Sequence, residues 1–242
     1  MTKLLRGEIY RLLHKKSIYF YFCALAAGYF AIAFIRSGGF GEGSVVSDAA
    51  TMFSLMPALA GGFLFSAVYT DDLNSKNLIS LVGYGVNKFT IILAKLILTA
   101  LSGSLIFGLA PVYHCAVYAL LGQPVTTGMA ATVYAISLKY LLVTLAYAAL
   151  SGIVVYGLQR ATFAIVTFLL LAFGVVGSLV SVALNTFAPG LTGHLVPGVT
   201  DRILLGLVGG VSSALPVAEY IAFVLAGLAL SATAFYRKEM EF

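Results

Sequence analysis

Marking every Asp, Glu, Lys and Arg along the chain leaves long apolar windows that carry no charge. Ser17 to Ile35 and Ala49 to Thr70 are each long enough to cross a hydrocarbon layer of roughly 30 Å, which takes about 20 helical residues. A third window, Leu96 to Leu138, is too long for one helix and is punctuated by Pro111 and by Gly122-Gln123-Pro124. It predicts a span over 89–120, an external turn with an amphipathic stretch, and a fourth span over 137–158 closed by Gln159-Arg160. Spans over 161–184 and 216–236 complete the set, with Pro216 in a first helical turn, where its missing N–H costs nothing. The pattern predicts one all-α integral membrane domain over 1–242, with six transmembrane helices.

Three segments outside the spans are informative. In residues 1–16, Leu5, Ile9, Leu12 and Leu13 fall on one helical face, while Lys3, Arg6, Arg11 and Lys15 lie mostly elsewhere around the wheel. This predicts a helix lying in the membrane surface before the first span. Residues 71–88 form the only long connection on the same side of the membrane as the N-terminus. There Asp71 or Asp72 is expected to cap a short helix with Leu73, Asn77, Leu78 and Leu81 on one face, ended by Gly83 and Gly85. Residues 185–215 mix Pro189, Gly190, Gly193, Pro197 and Gly198 with an apolar run from Ile203. They predict an outer loop and a short helix that dips partway into the membrane, where broken backbone needs cover from protein or water.

Composition sharpens the class. The chain is 61% apolar and 10% charged, against about 45–50% and 25% for soluble domains, and its mean hydropathy is +1.02. A soluble catalytic core is excluded. Of 14 Lys and Arg, all but Arg36, Lys139 and Arg202 fall on the side of the termini, so the positive-inside bias places both termini in the cytoplasm. The net charge of +5 is thus read as topology, and no nucleic-acid partner is expected. There is no Trp, and of 14 Tyr several (Tyr19, Tyr69, Tyr140, Tyr156, Tyr236) stand at span ends, as interfacial residues do. Cys23 and Cys115 both sit in apolar runs, which predicts buried inert thiols. The first apolar run lacks a cleavage site and is expected to be retained as a span.

Candidate chemistry is sparse. No G-x-x-x-x-G-K-[ST] run is present, so the chain has no P-loop with which to hold ATP. No HExxH motif, paired intramembrane carboxylates or Ser/His/Asp set is visible, and no metal site or catalytic residue is predicted. The span centres lack ionisable residues, which disfavours ion-coupled transport. Lys95 and Lys139 read as snorkelling side chains, and His114 as a satisfied polar residue near the outer end of span three. Glu219 suits a helix N-terminus and is within range of a salt bridge to Lys139 or Arg202, while His194 and Asp201 receive no role. Ala58/Gly62, Ser104/Gly108 and Gly174/Ser178 have the small-residue spacing of close helix packing.

Several of these stretches together resemble a family. Leu4-Leu5-Arg6-Gly7-Glu8-Ile9-Tyr10-Arg11-Leu12, Lys76-Asn77-Leu78-Ile79-Ser80 followed by Gly85-Val86-Asn87-Lys88 and Lys95, Leu195-Val196-Pro197, and Phe235-Tyr236-Arg237-Lys238-Glu239 are similar, in order and spacing, to six-span permease subunits of type-2 ABC exporters. The likeness is greatest to permeases of bacitracin and lantibiotic resistance or immunity. Lys88 stands where that family usually has Arg, and an Asp pair where it commonly has Glu. The resemblance implies a permease subunit in a bacterial cytoplasmic membrane, pairing with a second permease chain, identical or related. Separate ATPase subunits, which hold the ATP and Mg, would dock on a coupling helix comprising Asp71, Asp72, Leu73, Lys76, Asn77, Leu78 and Leu81. The implied cargo is a hydrophobic or amphipathic molecule, most specifically an antimicrobial peptide. A lipid or small-drug exporter and a non-transporting sensor or scaffold are the rival expectations. No substrate-contacting residue is predicted.

Overall fold

The computed structural model describes residues 2–36, 45–74, 77–210 and 212–237. Within these residues the chain is helical and contains no strand. The helices are α1 (Thr2–Leu13), α2 (Lys16–Ile35), α3 (Val45–Leu73), α4 (Asn77–Gly83), α5 (Lys88–Leu120), α6 (Thr127–Leu158), α7 (Ala161–Ala172), α8 (Val175–Phe187), α9 (Val196–Gly209) and α10 (Ala214–Arg237). Five of them, α2, α3, α5, α6 and α10, are long and apolar enough to cross a membrane, and the bent pair α7–α8 brings the number to six if it forms one span. The chain is a multi-pass membrane protein of the all-α class.

Local sequence explains most boundaries. The Asn87 side chain accepts from the Phe89 N–H and opens α5; Gly122, with φ +79°, lets the backbone turn off that helix. Thr126 opens α6 by accepting from the Met129 N–H. The fourth span accordingly starts at Thr127 rather than at 137, and the expected amphipathic stretch is its first turns. Their Val133 and Ile136 are buried beside Phe107, Val117 and Tyr118 of α5. The fifth span is not one straight helix over 161–184. It breaks at Phe173-Gly174, where Gly174 adopts φ +75°, and the two halves differ in direction by 58°. In α3, Pro57 lacks the N–H that an α-helical ladder needs, and the backbone widens to π turns over Pro57–Gly61 and Ser66–Thr70.

Helix α6 is the axis of the molecule, with α3, α5, α7, α9 and α10 packed around it. Its tightest neighbour is α10, and the reason is a pair of glycines. A Cβ on Gly227 would lie 3.0 Å from the Ala149 backbone carbon, and one on Gly152 would lie 2.8 Å from the Ser231 hydroxyl. Among the three expected small-residue pairs, Ala58/Gly62 sits in a close approach, with Gly62 against Leu169 of α7. The other two do not: Gly108 and Gly174 face open space, so their spacing does not mark packing here. The segment after α8 folds as a 3-10 turn over Pro189–His194 followed by α9, which buries Val196, Val199, Thr200 and Ile203. At 14 residues, α9 is about 21 Å long, too short to span.

Helix α2 stands apart. Ala33 is its one buried residue, and it leans on α3 and α5 through aromatic groups. Tyr21 stacks on Phe63 with ring centroids 4.0 Å apart, and its hydroxyl donates to the Leu59 carbonyl at 2.9 Å. From α5, the Tyr113 hydroxyl donates to the Ala26 carbonyl at 2.8 Å. A backbone carbonyl has two lone pairs, so each can accept such a hydroxyl besides its helical bond, and each contact ties α2 to a neighbour through a single side chain.

Candidate functional site

The loose seating of α2 leaves an apolar cleft of about 510 Å³ between α2, α3 and α5. Phe22, Cys23, Phe53, Met56, Leu105 and Leu109 are among its lining residues. Cys23, Leu105 and Leu109 are also exposed, so the cleft opens on the outside of the helix bundle. A smaller cleft of about 310 Å³ lies on the other flank of α2, between it and Met52, Leu55 and Leu59 of α3. Neither was located from the sequence, where every span looks equally apolar. The signal that bears on it is the aromatic content of α2, which allows contact by rings in place of close backbone approach.

A buried ionic cluster lies at the end of the cleft formed by α1. Lys95 of α5 is 1% exposed and Asp72 of α3 is fully buried. Lys95 pairs with Asp72 and, at 2.9 Å, with Glu8. Arg11 also pairs with Asp72 and sits 2.8 Å from Glu8, and Lys15 pairs with Asp71. Three acids and three bases thus join α1, the elbow before α2, α3 and α5. Burial disfavours the Arg11 charge, but Asp72, Glu8 and Asp71 outweigh it and raise its pKa above the ordinary value. Buried ions on this scale are tolerable because each has an opposite partner. The Tyr156 hydroxyl of α6 is buried nearby, with no hydrogen-bond partner among the described residues.

The reading of Lys95 as a snorkelling side chain is therefore corrected. Its aliphatic stem does not run out to water, since Glu8 and Asp72 supply the counter-charges inside the protein. Lys139 is likewise paired, with Asp201 of α9, and Arg202 pairs with Glu219, which His194 approaches at 3.3 Å. These pairs give Asp201 and His194 a place, pinning α9 to α6 and to the start of α10.

At the opposite end of the cleft a second polar group closes α2 against the bundle. Asp48, buried near the start of α3, lies 2.6 Å from Arg36 at the end of α2 and accepts from the Tyr118 hydroxyl at 2.6 Å. His114 is fully buried as a satisfied polar residue. One ring nitrogen meets the Val45 carbonyl at 2.8 Å and the other meets the Tyr29 hydroxyl. The carbonyl can only accept, so Nε2 carries the proton and Nδ1 takes the Tyr29 O–H. Of the cysteines expected to be buried, Cys115 is half-buried and Cys23 is exposed.

The residues expected to form the coupling helix are distributed differently. Asp71 and Asp72 continue α3 and do not cap α4, and their carboxylates are held by the cluster above. Leu78 is 4% exposed and belongs to the interior, with Leu73 and Leu81 packed beside it. Lys76 lies outside the described residues, and Asn77 begins α4. The expected stop holds: Gly85, with φ +77°, follows α4, and the Val86 N–H donates back to the Leu81 carbonyl at 3.1 Å. The turn is anchored to α10, since Lys88 donates to the Phe235 carbonyl at 2.8 Å and Tyr236 donates to Asn87 at 2.8 Å. What it presents outward is Tyr84, 86% exposed. In α1, Leu12 is buried and Leu5 and Ile9 are half-buried, whereas Arg6 and Leu13 are exposed. The inward face of α1 is thus part charged, through Glu8, because it docks on the cluster as well as on apolar surface.

No protein-family model and no curated protein matches the chain.

Proposed function

We propose that the chain is the permease subunit of an ATP-binding cassette exporter in a bacterial cytoplasmic membrane, with both termini on the cytoplasmic side. It acts on a hydrophobic or amphipathic molecule, most specifically an antimicrobial peptide of the lantibiotic or bacitracin kind. The observation that carries the reading is the cleft beside α2. It is apolar and opens on the outside of the bundle, a position from which it would admit cargo sideways from the bilayer. A small ionic solute would find no counter-charge along its walls. The resemblance of the N-terminal, 76–95 and C-terminal stretches to exporter permeases supplies the ATPase, the second permease chain and the word antimicrobial.

In this mechanism a cytoplasmic ATPase bears on the 77–88 segment, meeting Tyr84 and its neighbours, while Leu73, Leu78 and Leu81 carry the force into the chain's own core. The ties from Asn87 and Lys88 to α10, and from Asp72 to α1 and α5, make the segment one lever on several spans. Movement of α2 is the least costly response, because its contacts are few. ATP binding must favour one seating of α2 over another for this to shift its population.

Expressing the chain with its ATPase and any second permease chain in a sensitive bacterium tests the reading. The expected result is a raised inhibitory concentration for a cell-envelope peptide, lost when the ATPase is inactivated. No protection across lantibiotics, bacitracin and host-defence peptides, with ATPase activity stimulated by a lipid or a small drug, would replace peptide export with lipid or drug export. Failure of any ATPase to co-purify would favour a sensor or scaffold.

A further inference from the structure

We infer that the cleft beside α2 is a binding site for an anionic phospholipid, with one acyl chain between α2, α3 and α5 and the headgroup at the elbow joining α1 to α2. The first ground is length. Along α2 the lining runs from Ile18 to Tyr29, and along α5 from Ser102 to Tyr113. Each stretch rises about 16 Å at about 1.5 Å per residue, close to half of the roughly 30 Å hydrocarbon layer. The cleft thus matches the depth of one leaflet, and it starts at the basic end of α2.

The second ground is charge. Leu12, Leu13, Ile18 and Tyr19 line the elbow end of the cleft, and His14, Lys15 and Lys16 lie between them in the chain. Lys15 is engaged by Asp71. Lys16 is exposed and forms no ion pair among the described residues, and the same is true of Arg6 on α1. The nearby acids, Glu8, Asp71 and Asp72, are consumed by Arg11, Lys15 and Lys95. An apolar slot one leaflet deep, with exposed cations on the two helices that meet at its elbow end, complements a lipid that has an acyl chain and a negative headgroup. A zwitterionic lipid would satisfy the slot but not the cations. The far end, closed by Tyr29 and Tyr113, limits the chain to that leaflet.

The absence of Trp from the chain makes a direct test possible. A single Trp is introduced at Cys23→Trp or, in a second protein, at Leu105→Trp; both positions line the cleft and are exposed, so either can report if the other fails to express. Leu179→Trp, on the exposed face of α8 away from the cleft, is the reference. Each full-length protein is reconstituted in phosphatidylcholine vesicles containing a minority of phosphatidylglycerol with brominated acyl chains, which quench Trp on contact. The expected result is several-fold stronger quenching at position 23 or 105 than at 179. Lys16→Gln should weaken lipid capture about fivefold, the effect of one basic residue near an anionic lipid, and Arg6→Gln in addition should bring quenching to the reference level. Equal quenching at cleft and reference positions would overturn the site. Excess quenching that persists when brominated phosphatidylcholine replaces the anionic lipid would overturn the headgroup assignment. The lipid and the exporter's cargo would occupy this same cleft in turn; no ATPase takes part in the test, so its result stands or falls separately from the exporter reading.

Discussion

Removing Lys95 is the sharpest test of how the α1 end of the molecule is held together. The Lys95→Met substitution keeps the length and apolar stem of the side chain and deletes the charge that faces Glu8 and Asp72. Taking away one partner of a buried ion pair typically costs about 3–5 kcal/mol, because the other charge is left without compensation. Arg11 still reaches both carboxylates, which sets the expectation at the lower end, about 3 kcal/mol. The double variant Lys95→Met with Asp72→Asn removes the stranded charge and leaves Glu8 with Arg11, so it should recover more than half of the loss. Reversible unfolding in mixed micelles, followed by helical circular dichroism, measures both. A single variant within about 1 kcal/mol of the parent, the range of exposed pairs, would refute the argument by showing that water solvates the cluster. A double variant no better than the single one would show that Lys95 acts through packing alone.

Gly227→Ala should destabilise by about 1–3 kcal/mol, as overpacking does, since its Cβ meets the Ala149 backbone, which cannot move aside. Gly108→Ala, in open space on α5, should instead gain up to about 1 kcal/mol from helix propensity; the same unfolding assay reads both, and equal effects would contradict the α6–α10 contact. In a background with Cys23 and Cys115 replaced by Ala, Tyr84→Cys should be labelled only from the cytoplasmic side and Gln123→Cys only from outside, and the reverse pattern would invert the topology. Tyr84→Ala should reduce ATPase co-purification several-fold without changing thermal stability, whereas Leu78→Asp should lower stability first, because Leu78 is in the core.

The apolar windows made the spans legible, because a bilayer demands long charge-free helices whatever their partners. Gly85 likewise marked the end of α4, whereas the caps at Asn87 and Thr126 were not read from the pattern, and the start of α6 at Thr127 was missed with them. What the pattern concealed was pairing between segments distant in the chain. Lys95 near a span end has the same local sequence whether it snorkels or meets Glu8 and Asp72, and only the docking of α1 decides between them. Asp71 and Asp72 looked like a cap for α4 because the boundary of α3 was placed at the last uncharged residue. A buried Lys95 and a half-buried Arg11 let the helix carry its acids inward. Small-residue spacing was equally ambiguous: it is met at Gly62, where α7 approaches, and at Gly108, where nothing does. The cleft depends on how few contacts α2 makes, a property of the assembled bundle that no periodicity encodes.

In the proposed mechanism ATP hydrolysis in a partner drives an amphipathic molecule out through the cleft beside α2. The measurement closest to it is ATP-dependent movement of a fluorescent cell-envelope peptide in vesicles that contain the chain, its ATPase and any second permease chain. Transport should cease with an inactive ATPase and fall several-fold when Ser102→Phe narrows the cleft, while ATP hydrolysis without peptide continues. Transport undiminished by Ser102→Phe, or none at all from a complex that hydrolyses ATP normally, would contradict that mechanism.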